Sequence, residues 1–299
     1  MCSALKSARG DYDIAAIEYA ASVMRYDIVD MVSKAGSGHP GGSLSAADIV
    51  ATLYLSGIMD LDAERLDDPD RDRFILSKGH AAPVLYAALA QKGIIDRAEL
   101  STLRKLHSRL QGHPVCLKLP GVEVSTGSLG QGLSIAAGVA LGLAMDKGED
   151  APTVFCLLGD GESQEGQVWE AAAFASHYAL GNLVAILDYN NLQIDGKVSD
   201  VMDIAPADER WASFGWKVFE VDGHDVAALC DVLAEAKAHT GQPTMVIART
   251  VKGKGVSFME NQADWHGKAP DAEQAAQALE ELERALDAAK GKMGGSDVR

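Results

Sequence analysis

The sequence predicts an α/β fold: a doubly wound parallel sheet with helices on both faces. Three observations carry that prediction. Continuous apolar runs recur in the second half, at "TVFCLL" (153–158), "LVAILD" (183–188), "WKVFEV" (216–221) and "TMVIAR" (244–249). Helical stretches at 166–180 and 225–239 alternate with them. Strands that are apolar on both faces belong in a parallel sheet covered twice, since a solvated face would require every second residue to be polar. Finally, no linker, repeat or low-complexity block divides the 299 residues, which predicts one domain over 1–299 with a helical, partly frayed tail from about 270.

The remaining elements follow in order. Residues 12 to 35 and 46 to 56 have helical periodicity and flank the glycine-rich "KAGSGHPGGS". A second irregular stretch, "SKGHAAP", follows the apolar "RFIL". A third, "GHPVCLKLPGVEVSTGSLGQG", precedes "LSIAAGVALGLAMDKG", whose small apolar residues predict a buried helix. Residues 271 to 289 predict an exposed Ala/Glu-rich helix, and "GKMGGSDVR" a frayed end.

Composition narrows the function. Hydrophobic residues at 47% and charged residues at 23% permit a real core. A net charge of -16 argues against nucleic acid and anionic membranes, both of which need clustered Lys and Arg. A phosphate-bearing ligand would therefore have to be met locally, by a metal, a helix N-terminus or a few placed cations. Cys2, Cys116, Cys156 and Cys230 form no C-x-x-C pair and read as reduced thiols. The start "MCSALKSARGDYD" is too polar for a signal peptide, and no run reaches the ~18 apolar residues of a membrane span, so a soluble, cytoplasmic protein is expected.

The informative break is "GDG" at the end of the 153–158 run. Successive parallel strands joined by a helix send their following loops to one edge of the sheet, where open α/β sheets bind ligands. One such loop carries Asp160 between Gly159 and Gly161; the next reads "DYNNLQIDG" and carries Asn190 and Asn191. A carboxylate and carboxamide oxygens suit Mg²⁺ or Ca²⁺. The glycines let the backbone approach a phosphate, and the helix near 166 offers its N-terminus to the anion. The alternative is a tight turn with a helix-capping Asp; the second oxygen-rich loop favours a metal–diphosphate site. No G-x-G-x-x-G follows a strand, so the nicotinamide fingerprint is absent.

Gly-Asp-Gly, then residues 162 to 189, then Asn-Asn resembles the thiamine-diphosphate fingerprint. With "SGHPGG", "LSKGHAAPVLYAAL", "STGSLGQGL", "GDGESQEGQVWEA" and "DYNNLQIDG" in this order, the chain resembles transketolase from about residue 20 to 268. The resemblance covers the cofactor-diphosphate half. It implies a metal site of Asp160, Asn190 and the carbonyl of Leu192. It implies that Gly161 contacts the diphosphate through its backbone, that Gly127, Ser128 and Leu129 run along the cofactor, and that Ile194 lies near its thiazolium ring; Glu162, beside the glycines, reads either as a cofactor neighbour or as first-turn helix electrostatics. Ser128 stands where most family members have proline. Lys252, in "TVKGKG", departs from the family, standing where the longer enzymes have an apolar residue; on electrostatic grounds a cation there would suit a diphosphate. His39, His80, His113 and His266 would line the cofactor and the first two carbons of a sugar, and Glu165 would link the cofactor sites of a dimer. His224, in "VDGHD", reads as a structural turn; His107, His177 and His239 fall in helical stretches. Trp169 and Phe174 read as core.

The resemblance also implies a reaction: transfer of a two-carbon ketol unit from a ketose to an aldose, as in the pentose phosphate pathway. The family's pyrimidine-binding domain, with its activating glutamate, lies outside this chain. The expectation is therefore the N-terminal subunit of a two-chain transketolase. Its partner would be the C-terminal subunit, in an assembly of at least a dimer of heterodimers. Three rivals stand beside it: a 1-deoxyxylulose-5-phosphate synthase-like or 2-oxo acid dehydrogenase-like subunit, a catalytically silent cofactor-binding module, and an excised domain of a longer enzyme.

Overall fold

The computed structural model describes residues 12–293, so Cys2, most of the polar start and the last six positions of the tail lie outside the described residues. The elements run α1 (Ile14–Ala35), α2 (Pro40–Ser45), α3 (Ala47–Leu55), β1 (Arg73–Leu76), α4 (Ala82–Gln91), α5 (Gln131–Lys147), β2 (Val154–Gly159), α6 (Gly166–His177) and β3 (Leu183–Tyr189). A small hairpin follows, β4 (Leu192–Gln193) and β5 (Gly196–Lys197), then α7 (Val198–Val201), α8 (Ala207–Ser213), β6 (Lys217–Asp222), α9 (Val226–Ala238), β7 (Thr244–Arg249) and α10 (Ala272–Met293).

Five strands form one sheet in the order β1-β2-β3-β7-β6, parallel throughout. Alternate residues of each strand enter opposite cores. Cys156, Leu158, Ala185, Leu187, Met245 and Ile247 pack with α5 and α6 on one side. Phe155, Leu157, Val184, Ile186, Val246 and Ala248 pack with α1, α3, α4 and α9 on the other. The predicted doubly covered sheet is present, and the parallel arrangement puts every strand's carboxyl end on one edge.

Four local expectations change. The glycine-rich 36–43 stretch is not wholly irregular: Pro40 starts α2, its fixed φ suiting a first helical turn. Gly41 lies so close to Trp265 that an added Cβ would stand 2.8 Å from the Trp265 carbonyl oxygen. The apolar helix read as buried, α5, buries only one side. Gly138, Gly142 and Met145 are exposed, because β2 and α6 cover one flank and no described element covers the other. The helix read as exposed, α10, buries Ala278, Leu282 and Ala289, and it packs on α1. Residues 291–293 complete that helix instead of fraying, with Lys292 paired to Glu18 at 2.8 Å. No helix among the described residues is long and apolar enough to cross a membrane.

Candidate functional site

The carboxyl edge of the sheet gathers the loops after β1, β2, β3 and β7 around a cleft of about 170 Å³. Lys78 and His80 enter from the first loop, Asp160 to Glu165 from the second, Asn190 to Ile194 from the third and Lys252 from the fourth. A wider, open depression of about 670 Å³ lies at the β6–β7 end. Its Arg249 and Glu220 neutralise each other at 2.8 Å, so the narrower cleft, where charge is buried, is the candidate site.

Three buried carboxylates, Asp160, Glu162 and Asp188, line this cleft, and Asp160 and Asp188 have different partners. Asp188 pairs with the Lys78 ammonium and also accepts hydrogen bonds from Ser45 at 2.6 Å, from Thr250 and from Asn190 at 3.3 Å. Burial alone would raise its pKa, but Lys78 and these donors hold it below the usual carboxylate range. Among the described residues Asp160 accepts only from backbone N–H groups, those of Gly161 at 2.7 Å and of Asn191. Burial, then the neighbouring Asp188, push it up to about 6. Asp160 is thus an under-compensated buried anion, and a bound cation would complete it. Asn190 Oδ1 accepts from the Leu192 N–H at 3.1 Å, and the Leu192 carbonyl accepts from Lys252 Nζ at 3.2 Å. Burial lowers Lys252 to about 8, with Asp160 acting against that shift.

Among the described residues no group of three or more His, Cys, Asp or Glu side chains forms a ligand cluster. The oxygen set of Asp160, Asn190 and the Leu192 carbonyl contains one such side chain, and its all-oxygen chemistry suits a hard cation.

Glu162 ties the loops together. Its carboxylate accepts from Ser77, from the Gly130 N–H at 2.9 Å and from the Gly159 N–H at 3.1 Å. Gly79 packs equally tightly across the same seam, where an added Cβ would lie 2.7 Å from the backbone nitrogen of Gly127. Gly79→Ala is expected to destabilise the chain by about 1–3 kcal/mol, since backbone on both sides must move. Urea unfolding measures this; an unchanged midpoint would refute the tight seam.

The four predicted histidines form one group. The His39 ring centroid lies 5.2 Å from His80, 6.4 Å from His113 and 5.5 Å from His266, and His80 lies 4.9 Å from His266. Burial lowers His39 to about 4, helped by Arg104, His113 and Lys252. Burial and then Lys252 lower His266 to about 3, and burial with His266 takes His80 well below its ordinary value. The imidazoles are therefore neutral at pH 7, each with one donor and one acceptor nitrogen. Because these folded pKa values are depressed, the unfolded chain takes up protons first. The histidine contribution to stability is full above about pH 6.5 and is lost as pH falls towards 4. Histidine NMR should show His39 titrating below pH 5; a midpoint near 6.5 would contradict this.

Other predicted residues stand as follows. Gly127 abuts His113, where a Cβ would come within 3.1 Å of the ring. Ser128 is exposed beside it, and Leu129 lines the cleft. Ile194 is 64% exposed on the cleft rim, so its apolar surface faces outward in this chain. Glu165 is the exposed residue preceding α6. The helix expected near 166 begins at Gly166 as α6, and the short 3-10 turn Gly161–Gln164 stands between it and Asp160. Trp169 packs against Trp211, as expected for core, whereas Phe174 is 37% exposed. His107 lies in a turn with φ 68, not in a helix, and His239 follows α9 as its C-cap.

Sequence reasoning passed over Lys78, Asp188 and Arg104. Lys78 and Asp188 sat inside the family motifs, and a charge at the end of a buried strand was the usable signal, because it demands a partner. Arg104 donates to Ser37 at 3.0 Å beside the His39–His113 mouth. Two buried polar atoms near this mouth, His39 Nδ1 and Thr126 Oγ1, have no hydrogen-bond partner among the described residues.

Similarity to known proteins agrees with this geometry. Residues 17–287 match the family model "Transketolase, thiamine diphosphate binding domain". The chain is 40% identical over 268 residues to SqwG, the 6-deoxy-6-sulfo-D-fructose transketolase subunit of Clostridium sp. (strain MSTE9), covering 90% of this chain and 96% of that one. It is 40% identical over 263 residues to one of the subunits of the apulose-4-phosphate transketolase of Phocaeicola vulgatus, covering 88% and 92%. The solved transketolase of Campylobacter jejuni superposes with a TM-score of 0.84 at 33% identity, over 91% of this chain but only 43% of that one. The chain thus spans nearly all of two relatives named as subunits, yet less than half of that solved transketolase.

Proposed function

Because the chain belongs to the transketolase family, matched across its thiamine diphosphate binding domain, we propose that it is the diphosphate- and metal-binding half of a two-chain transketolase. One observation carries the reading. A chain as long as two transketolase subunits brings Asp160, Asn190, Lys252 and a histidine cluster to one cleft. The match to transketolase disfavours the 1-deoxyxylulose-5-phosphate synthase-like and 2-oxo acid dehydrogenase-like alternatives. An intact oxygen donor set disfavours a silent module.

Asp160, the Asn190 side chain and the Leu192 carbonyl would hold Mg²⁺ or Ca²⁺, with Gly161 and Lys252 against the diphosphate. Gly127, Ser128 and Leu129 would lie along the cofactor, with Ile194 towards the thiazolium. When bound, thiamine diphosphate supplies a carbon nucleophile that can also store the electron pair released by C–C cleavage. The neutral imidazoles of His39, His80, His113 and His266 would hydrogen-bond sugar hydroxyls and carry protons between their oxygens. Arg104, at the mouth, would meet an anionic group on a sugar or sugar phosphate. A partner subunit would bring the pyrimidine-binding domain and its glutamate. Glu165, exposed at the rim, would then reach a second cofactor site in a dimer of heterodimers in the cytoplasm.

Calorimetry with thiamine diphosphate should show binding that requires Mg²⁺. The partner, captured from host extract with both present, should then restore ketol transfer when mixed with this chain. Full-rate transfer by the chain alone would overturn the two-chain reading. No cofactor binding by the chain or the reconstituted pair would overturn the site.

A further inference from the structure

The turn after β6 holds a histidine whose backbone behaves as expected and whose ring does more. The His224 N–H donates to Asp222 Oδ1 at 2.9 Å, closing the predicted turn. Its imidazole, only 15% exposed, bridges two other elements. Nδ1 lies 2.7 Å from Asp48 Oδ2 on α3, and Nε2 accepts the Val251 N–H at 2.8 Å. Asp48 is itself locked from behind by the Arg25 guanidinium of α1, with Nη1 donating to Oδ1 at 3.0 Å and Nη2 to the same Oδ2 that His224 meets.

We propose that His224 is a positioning residue: through the Val251 amide it fixes the segment that presents Lys252 to the cofactor cleft. This inference rests on the reading of that cleft given above. Partner chemistry settles the ring's state. An ionised carboxylate only accepts, so Nδ1 must carry the proton; a backbone N–H only donates, so Nε2 must be bare. The result is a neutral imidazole held in one tautomer by a carboxylate, an arrangement that fixes ring orientation where it supports a site.

Neighbouring anchors show why the contact matters. The Thr250 N–H donates to the Tyr189 carbonyl at 3.1 Å, and the Gly253 N–H to the Gly41 carbonyl at 3.0 Å. Val251 lies between them, and its amide is held by the imidazole. The next residue, Lys252, is buried, with Nζ 3.2 Å from the Leu192 carbonyl and 3.1 Å from His266 Nδ1. His224 lines the wide depression while Lys252 lines the cleft, so the linkage runs through one peptide unit. Asp48, with Arg25 behind it, makes that peptide's support part of the core and not of the surface.

Two variants separate the ring's roles. Asparagine keeps a donor near the Nδ1 position and loses the acceptor; glutamine keeps an acceptor near Nε2. Hydrogen exchange of the segment 249–255 is read first in the cofactor-free chain. His224→Asn should increase exchange there, His224→Gln should retain protection, and both should melt within a few degrees of wild type. Calorimetry with thiamine diphosphate and Mg²⁺ should then give affinity about tenfold weaker for the asparagine variant and within about threefold for the glutamine variant. Independently of any variant, ¹⁵N NMR of the wild-type histidines should show the His224 ring protonated at Nδ1.

Unchanged protection in both variants, or an Nε2-protonated ring, overturns the latch. Lost protection with unchanged affinity overturns the link to Lys252 and leaves the cleft's assignment standing. Failure of the wild-type chain and of its reconstituted pair to bind thiamine diphosphate overturns the cleft's assignment and the Lys252 link with it.

Discussion

Asp160→Asn is expected to abolish Mg²⁺-dependent binding of thiamine diphosphate while changing the stability of the cofactor-free chain little. The first half follows from the donor set. Asp160 is the one carboxylate among the three proposed metal ligands, and an amide there would remove the full charge that the proposed site offers a cation. Loss of even supporting groups in metal sites weakens binding about 10–100-fold, so loss of this ligand is expected to exceed about 100-fold. The second half follows from burial. Asp160 sits at 2% exposure with backbone donors and, among the described residues, no ion pair of its own. Its pKa rises from 3.8 to about 6, which corresponds to about 3 kcal/mol against the ionised form at neutral pH. Asparagine removes that charge and keeps the size, but it turns one of the two oxygens that accept the Gly161 and Asn191 N–H groups into a donor, so the gain and the loss offset each other. Calorimetry with and without Mg²⁺, beside a melting curve of the empty chain, checks both halves. Retained Mg²⁺-dependent affinity would remove Asp160 from the metal site, and a melting point several degrees lower would show the carboxylate to be structural.

Lys78→Met gives the opposite pattern, a large loss of stability. The Lys78 and Asp188 side chains are 3% and 0% exposed, and the ammonium also donates to the Gly42 carbonyl at 2.9 Å. Removing it leaves a buried carboxylate with hydroxyl and amide donors only. Breaking a buried pair from one side costs about 3–5 kcal/mol. At the few degrees per kcal/mol usual for chains of this size, the melting point should fall by roughly 10 °C. The double variant Lys78→Met with Asp188→Asn should recover much of the loss, because the unpaired charge is gone while Ser45 and Thr250 keep a polar partner. A single-variant loss below about 1 kcal/mol would mean that water or another cation replaces the ammonium.

These two carboxylates also show how far the sequence could be read. Strands at 153–158, 183–188 and 244–249 were legible to within a residue because an apolar run with a charged or glycine stop is a local signal. Asp160 and Asn190 were legible as a pair because consecutive parallel strands must send their following loops to the same edge. The histidines were legible only as members of motifs. Their mutual approach at 4.9 to 6.4 Å depends on loops after α1, β1 and β7, together with the segment before α5, meeting in space.

By itself, then, the sequence determined the sheet, its double covering and the edge at which the candidate site lies, since each depends on periodicity and chain direction. Only the tertiary structure decided which charges neutralise one another. Lys78 meets Asp188 across 110 residues and His224 meets Asp48 across 176. It also decided that α5 keeps an open flank and α10 a buried one. The reason is physical: periodicity records which face of an element is apolar, whereas what covers that face, and which buried ion meets which, is set by the register of elements distant in the chain.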